Sequence, residues 1–156
     1  MTEFVKEFIT TYQKEIDADK WSELYKYSRW NDHLVEVGNF TETLLDAGID
    51  PLEYLDSIPA FYLYGCTHEH EITVPEQITV IHSFSLCNAA CLTKIYLPKT
   101  LKSIEAESFT NCSNMVNDEL EIIYDGTVAD WQKVRVDRKS GLPRFYKVKT
   151  TEGWTR

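Results

Sequence analysis

Apolar positions change their spacing partway along the chain. From Thr2 to Ile16 they fall at Phe4, Val5, Phe8, Ile9, Tyr12 and Ile16, steps of three and four that line one face of a helix. Thr2 is placed to cap that helix, with Glu3 in its first turn. A second helix is predicted over "KWSELYKYS", with Trp21, Leu24 and Tyr25 inward and Asp19 as cap. A third runs from about Asp32 to Ala47 with Leu34, Val37, Phe40, Leu44 and Leu45 on one side. Gly48 stands where a left-handed C-cap is wanted. Gly38 either weakens this helix or divides it, Asn39 then capping the second piece and Glu42 supporting its first turn. "DPLEYLDSI" predicts a further helix, with Asp50 as cap, Pro51 in the first turn and Glu53 completing a capping box.

Beyond residue 70 the pattern shortens and repeats. Ile72, Val74, Pro75, Ile78 and Ile81 return in the same order, and at one constant offset, as Ile95, Leu97, Pro98, Leu101 and Ile104. Ile72 and Val74 alternate as in a strand, and the proline ends it. A fixed period of roughly 20–29 residues is the signature of a leucine-rich solenoid, in which a turn cannot bury its apolar side without its neighbours.

"IYLPKTLKSIEAESFTNCSNM" resembles the leucine-rich repeat of the BspA (Treponema) type. Ile95, Leu97, Pro98, Leu101, Ile104, Phe109, Cys112 and Met115 fall on that pattern, with Ser108 in place of its alanine. The first copy is more degenerate, placing Leu86, Ala89 and Leu92 in the Phe, Cys and Leu positions. "IIYDGTVADWQKV" is similar to the closing turn of such domains, through Tyr124, Gly126, Thr127, Trp131 and Val134. "VNDEL", between Met115 and Ile122, exceeds the family spacing and predicts a bulge or loop. The resemblance covers roughly residues 70–136. It implies a binding scaffold. Gly126 and Gly141 stand alone, with no glycine-rich phosphate loop, and no cofactor is expected. Short versions with a helical N-terminal region occur among phage and prophage proteins, which makes such an origin the expectation here.

The fold expected is therefore α+β: an N-terminal helical region packed as a cap on a short leucine-rich-repeat solenoid, with a closing helix and a C-terminal strand such as "RFYKVKTT". Residues 1–65 form the helical cap region, 66–136 the repeats and 137–156 a basic C-terminal segment. No Gly/Ser/Pro-rich linker separates them, so one integrated domain is expected. Phe61, Tyr62 and Tyr64 read as the seam between cap and repeats in preference to a base-stacking surface.

Charge divides the chain unevenly. Residues 1–65 hold 13 acids against 5 bases, residues 66–130 hold 10 against 3, and residues 131–156 hold 2 against 8, for a formal net charge of −9. The acidic body repels nucleic acid, whereas the basic end could touch phosphate. No apolar run is long enough to span a membrane. The acidic N-terminus resembles neither a signal nor a transit peptide, and the expected location is cytoplasmic, that of a host cell if the protein is phage-encoded. Cys66, Cys87, Cys91 and Cys112 are then read as reduced, small apolar residues.

"CTHEH" offers Cys66, His68, Glu69 and His70, with the first, third and fifth positions alternating onto one side, the best metal-like stretch. One short segment supplies too few ligands for a closed site, and it is read as a polar approach to the first repeat. Cys87 and Cys91 with Cys112 lack the paired spacing and fourth ligand usual for zinc. No metal and no catalytic residue is assigned.

Three surfaces remain. Between the buried strand positions, Glu71, Thr73, Lys94, Tyr96, Glu121 and Ile123 point outward and form a mixed ladder with Tyr96 and Ile123 as anchors for another protein. Tyr and Ile also occur there through β-propensity alone. An acidic face of Glu36, Glu42, Asp46, Asp50 and Glu53 would suit a phage counter-defence inhibitor that occupies a basic channel. Such acids also simply solvate a helix face. A basic tail of Lys133, Arg135, Arg138, Lys139, Arg144, Lys147 and Lys149, interleaved with Phe145 and Tyr146, would bind nucleic acid weakly. It would alternatively pair with the acidic helices of another copy, giving a homo-oligomer. The preferred function is non-enzymatic binding of another protein.

Overall fold

Alternation along the strand segments and the return at a fixed period build two parallel sheets back to back. The computed structural model describes residues 41–42, 44–46, 48–66, 68, 70–112, 120–143 and 146–155. The strands are β1 (Ser57–Ile58), β2 (His70–Thr73), β3 (Val80–Ile81), β4 (Leu92–Leu97), β5 (Ser103–Ile104), β6 (Glu121–Tyr124), β7 (Arg135–Val136), β8 (Val148–Thr150) and β9 (Gly153–Trp154). One sheet has the order β2-β4-β6-β8-β9, the other β1-β3-β5-β7. Every pairing is parallel except that of β8 with β9. The three turns β2–β3, β4–β5 and β6–β7 each place one strand in each sheet and return to the neighbour one layer on, as a solenoid does, with β1 before them and β8 and β9 after them.

Register follows the repeat. Ile72 pairs with Ile95 and Val80 with Ser103, both at the offset seen in the sequence. Ile95 pairs with Ile122, a longer step, so this turn carries extra residues, as the "VNDEL" spacing predicts. The extra residues fall within 113–119, outside the described residues.

Inward positions of the two sheets meet in one core. Ile72, Val74, Ile95, Leu97, Ile122, Tyr124 and Val148 face Ile58, Ile81 and Ile104, all buried. Leu63, Leu86 and Phe109, again one period apart, fill the outer side of successive turns and are fully buried. Turns are also tied through their backbones: Leu63 N–H donates to Ser85 O, Leu86 N–H to Ser108 O and Phe109 N–H to Ser140 O. Side chains satisfy further carbonyls between turns, Gln77 reaching Leu52 O at 2.9 Å and Thr100 reaching Glu76 O at 2.6 Å.

The first turn departs from the expected helix. Asp50 does cap, accepting from Leu52 N–H at 2.9 Å, and Pro51 opens the element. The chain then makes a single 3-10 turn, Pro51–Tyr54, before entering β1. Leu52, Leu55 and Ile58 stand one repeat before Pro75, Ile78 and Ile81, and their burial in the stacked core overrides the local helix signals. Residues 49–66 are therefore a solenoid turn, whereas the sequence pattern predicts helical cap up to residue 65. Phe61 stacks on Phe84 of the next turn, with centroids 5.8 Å apart and planes at 16°.

Residues 41–42 and 44–46 are helical. This helix ends in a Schellman motif: Ile49 N–H donates to Leu44 O and Gly48 N–H to Leu45 O, with Gly48 at φ +77° as its position predicts. The helices expected at 2–16 and 20–28, and the larger part of 32–47, lie outside the described residues.

The far end closes as the family resemblance implies. Thr127 caps the helix Val128–Trp131 in a reciprocal capping box with Asp130. Trp131 meets the Tyr124 ring edge-on at 5.1 Å, and β8 and β9 add the last layers.

The cysteines correct the reduced reading in part. Cys66 and Cys91 form a disulfide between the first and second turns, with Cα atoms 5.7 Å apart. Their side chains are brought together because each sits at the outer edge of its turn, one layer apart. Cys87 and Cys112 are buried thiols, as the sequence predicts.

Candidate functional site: the open face of the five-stranded sheet

Parallel register sets the outward residues of the longer sheet into two rows. Glu71, Lys94 and Glu121 form the first, and Thr73, Tyr96 and Ile123 the second. The six residues of the expected strand ladder thus stand side by side in register. Lys149 pairs with Ile123, and Trp154 with Lys149, extending the second row by two strands. Trp154 is 53% exposed, the most exposed large apolar side chain among the described residues. Sequence reasoning misses it because β9 is only two residues long and antiparallel, outside the repeat.

The first row is a charge ladder. Lys94 Nζ lies 3.4 Å from Glu71 and 3.5 Å from Glu121, and Lys149 Nζ is 4.0 Å from Glu121. Glu71 first, then Tyr96 and Glu121, hold the Lys94 ammonium above its ordinary range. Its nitrogen is 6.0 Å from the Tyr96 ring centroid. Exposed pairs of this kind contribute little stability. Their effect here is to offset charge along the row and fix Lys94 beside Tyr96. The second row is then left as the part of the face with apolar area to offer, through Tyr96, Ile123 and Trp154.

The expected acidic face does not assemble as read. Glu42 is buried, its carboxylate oxygen 3.0 Å from His68 Nδ1 and 3.2 Å from His70 Nε2, because the helix turns this residue onto the chain leading into β2. Asp50 is occupied as a cap and lies 3.3 Å from the Tyr62 hydroxyl, which donates to it. Asp46 and Glu53 are exposed, and Glu36 lies outside the described residues.

The basic residues are divided between the two sheets. Arg135 is in β7 of the shorter sheet and Lys149 in β8 of the longer one. Lys133 is paired with Asp130 at 2.9 Å, and Arg138, Lys139 and Lys147 are exposed. Arg144 and Phe145 lie outside the described residues, while Tyr146 packs edge-on against Trp131 at 6.4 Å. Among the described residues the tail is structural in part and presents no single basic face.

The two free thiols are poor nucleophiles. Burial pushes Cys112 up to about 12, and burial followed by the nearby Glu107 carboxylate raises Cys87. Cys112 instead donates to Leu86 O of the preceding turn at 2.8 Å.

These features define a leucine-rich-repeat solenoid with an outward-facing parallel sheet. The family model described as "BspA type Leucine rich repeat region (6 copies)" matches residues 40–123, more than half of the chain, and the protein belongs to that family. The match includes Glu42 and the whole of the first turn. No curated protein and no solved structure matches the chain. Leucine-rich-repeat modules generally bind other proteins, and the family is generally non-enzymatic. Among the described residues no helix is long and apolar enough to cross a membrane.

Proposed function

We propose that the protein is a non-enzymatic interaction module whose open sheet face binds a short segment of another protein. The observation that carries this reading is the second row, Thr73–Tyr96–Ile123–Lys149–Trp154, in which aromatic and aliphatic anchors stand on a hydrogen-bonded sheet beside a charge-paired ladder. Rigid anchors lose little entropy on binding, and aromatic anchors dominate interface energetics.

Size narrows the partner. Five strands at about 4.8 Å spacing and about four residues of length give a footprint of roughly 250 Å². A standard interface buries about 800 Å² on each side. The strand face alone therefore fits an apolar peptide segment or loop better than a flat protein surface. Its paired charges favour recognition by contact over long-range charge steering.

The test is an affinity capture from nuclease-treated bacterial lysate, with the Tyr96→Ala/Ile123→Ala double variant and Trp154→Ala as controls. A protein held by the wild type and lost from both controls supports the face as the binding surface. A protein retained equally by all three moves binding to another surface. Phage origin and host-protein targeting are part of the proposal, and a captured partner would identify the process.

A further inference from the structure

We propose that Glu42, His68 and His70 form a divalent transition-metal site, of the zinc type, where the helix meets the solenoid. The three donor atoms lie within 4.8 Å of one another, the one such group among the described residues. They come from two elements, 26 to 28 residues apart in sequence. Their separations suit a metal: Glu42 Oε1 is 3.0 Å from His68 Nδ1 and 3.2 Å from His70 Nε2. Ligands about 2.0–2.1 Å from zinc in a tetrahedron stand about 3.3 Å apart. The exposed His68 ring has room to adjust the remaining edge.

Donor chemistry selects the ion. Two imidazoles and one carboxylate suit zinc and its transition-metal neighbours, whereas calcium and magnesium prefer all-oxygen sets. Burial is graded in the right sense. The Glu42 and His70 side chains are 6% and 13% exposed, and His68 is 66% exposed, so the site is anchored on one side and open on the other. Three protein ligands with an open side leave a fourth position for water.

The surroundings hold the ligands in place. The His70 backbone N–H donates to Cys91 O at 2.9 Å, and the His68 backbone N–H donates to the same Glu42 oxygen at 2.7 Å. The disulfide from Cys66 to Cys91 pins the segment just before His68. It also removes Cys66 from the ligand set that "CTHEH" suggests. Asp46 stands 4.0 Å from His68 Nδ1 on the open side and adds negative charge there. A metal would rivet the helix to the first strand of the solenoid's longer sheet.

The experiment uses the full chain, stripped with chelator and kept oxidised, and titrates it with zinc chloride by calorimetry. One equivalent of zinc should bind saturably, and a matched cobalt sample should show ligand-field bands without a sulfur-to-cobalt charge-transfer band. His68→Asn, at an exposed position, should weaken zinc by more than about tenfold with an unchanged far-ultraviolet spectrum. His70→Asn should do the same or more. Absence of saturable zinc binding overturns the proposal. So does binding that His68→Asn and His70→Asn both leave unchanged, or a cobalt spectrum showing thiolate ligation, since either places the metal elsewhere.

Discussion

The first turn and the turn that begins at Ile95 share a backbone but not a sequence. Leu63 and Phe109 fill the same slot, as do Cys66 and Cys112, and Gly65 and Asn111. In the later turn Cys112 donates backward to the Leu86 carbonyl. In the first turn Cys66 bonds forward to Cys91. One slot thus serves either a weak hydrogen bond or a covalent link. Burial and backbone conformation stay constant from turn to turn, and the residue type varies with what each turn finds beside it.

Core truncation tests whether the two turns belong to one cooperative unit. Phe109→Ala should cost about 3–5 kcal/mol and Leu63→Ala about 2–5 kcal/mol, since both side chains are fully buried. Urea denaturation followed by far-ultraviolet circular dichroism should give a single transition for each, with the midpoint lowered and its slope kept. A split transition in Leu63→Ala alone would show that the first turn unfolds by itself, and the comparison would then be between two units.

The disulfide comes next. It closes a loop over a sequence separation of 25, for which chain entropy predicts roughly 3 kcal/mol. Cys66→Ser/Cys91→Ser should lose about that much, and reduction of the wild type should match it. Cys112→Ala, which loses a small side chain and one weak hydrogen bond, should cost only about 1 kcal/mol. Equal losses would mean that the forward link adds nothing beyond what the same slot contributes in the later turn.

Glycine substitutions separate conformation from contact. Gly65 has φ +68° and open space around a new Cβ, so Gly65→Ala should cost about 1 kcal/mol from the left-handed backbone alone. Gly141 has φ +87°, and its Cβ would stand 2.6 Å from the Phe109 carbonyl carbon. That neighbour is backbone and cannot rotate away. Gly141→Ala should cost about 2–4 kcal/mol, the same conformational part plus overpacking. A thermal melt with Gly65→Ala the worse of the two would reverse this assignment.

The same contrast explains what is legible in the sequence alone. The copies from Ile72 and Ile95 read clearly, because Pro75 and Pro98 mark strand ends at the repeat distance. The first turn does not, because Asp50, Pro51 and Glu53 together read as a helix start, and a 3-10 turn uses the same Asp50 cap and Pro51 as a helix. Once Leu52, Leu55 and Ile58 are set one period before Pro75, Ile78 and Ile81, the turn becomes readable from spacing. The Cys66–Cys91 pair becomes readable with it, since that alignment places the two cysteines at the edges of adjacent layers. The six outward strand residues are legible because period two fixes their direction. Glu42 is not, since its partners His68 and His70 are met only in three dimensions, and on a helical pattern it looks like one more solvated acid.

The finest comparison concerns the left-handed slot itself. Asn88 and Asn111 have φ +56°, and Gly65 occupies the equivalent place at +68°. Asparagine tolerates this region better than other residues with a Cβ, and glycine meets no steric cost there. Asn111→Ala should therefore lose about 1 kcal/mol in urea denaturation. Asn111→Gly sets two effects against each other: relief of strain in the folded turn, and greater freedom of the unfolded chain. They should cancel to within about 0.5 kcal/mol. A neutral Asn111→Ala beside a destabilised Asn111→Gly would mean that chain entropy, and not the left-handed backbone, governs the slot. The repeat would then be held by burial alone at this position, and the likeness between the first and later turns would rest on Leu63 and Phe109 without any help from Gly65 and Asn111.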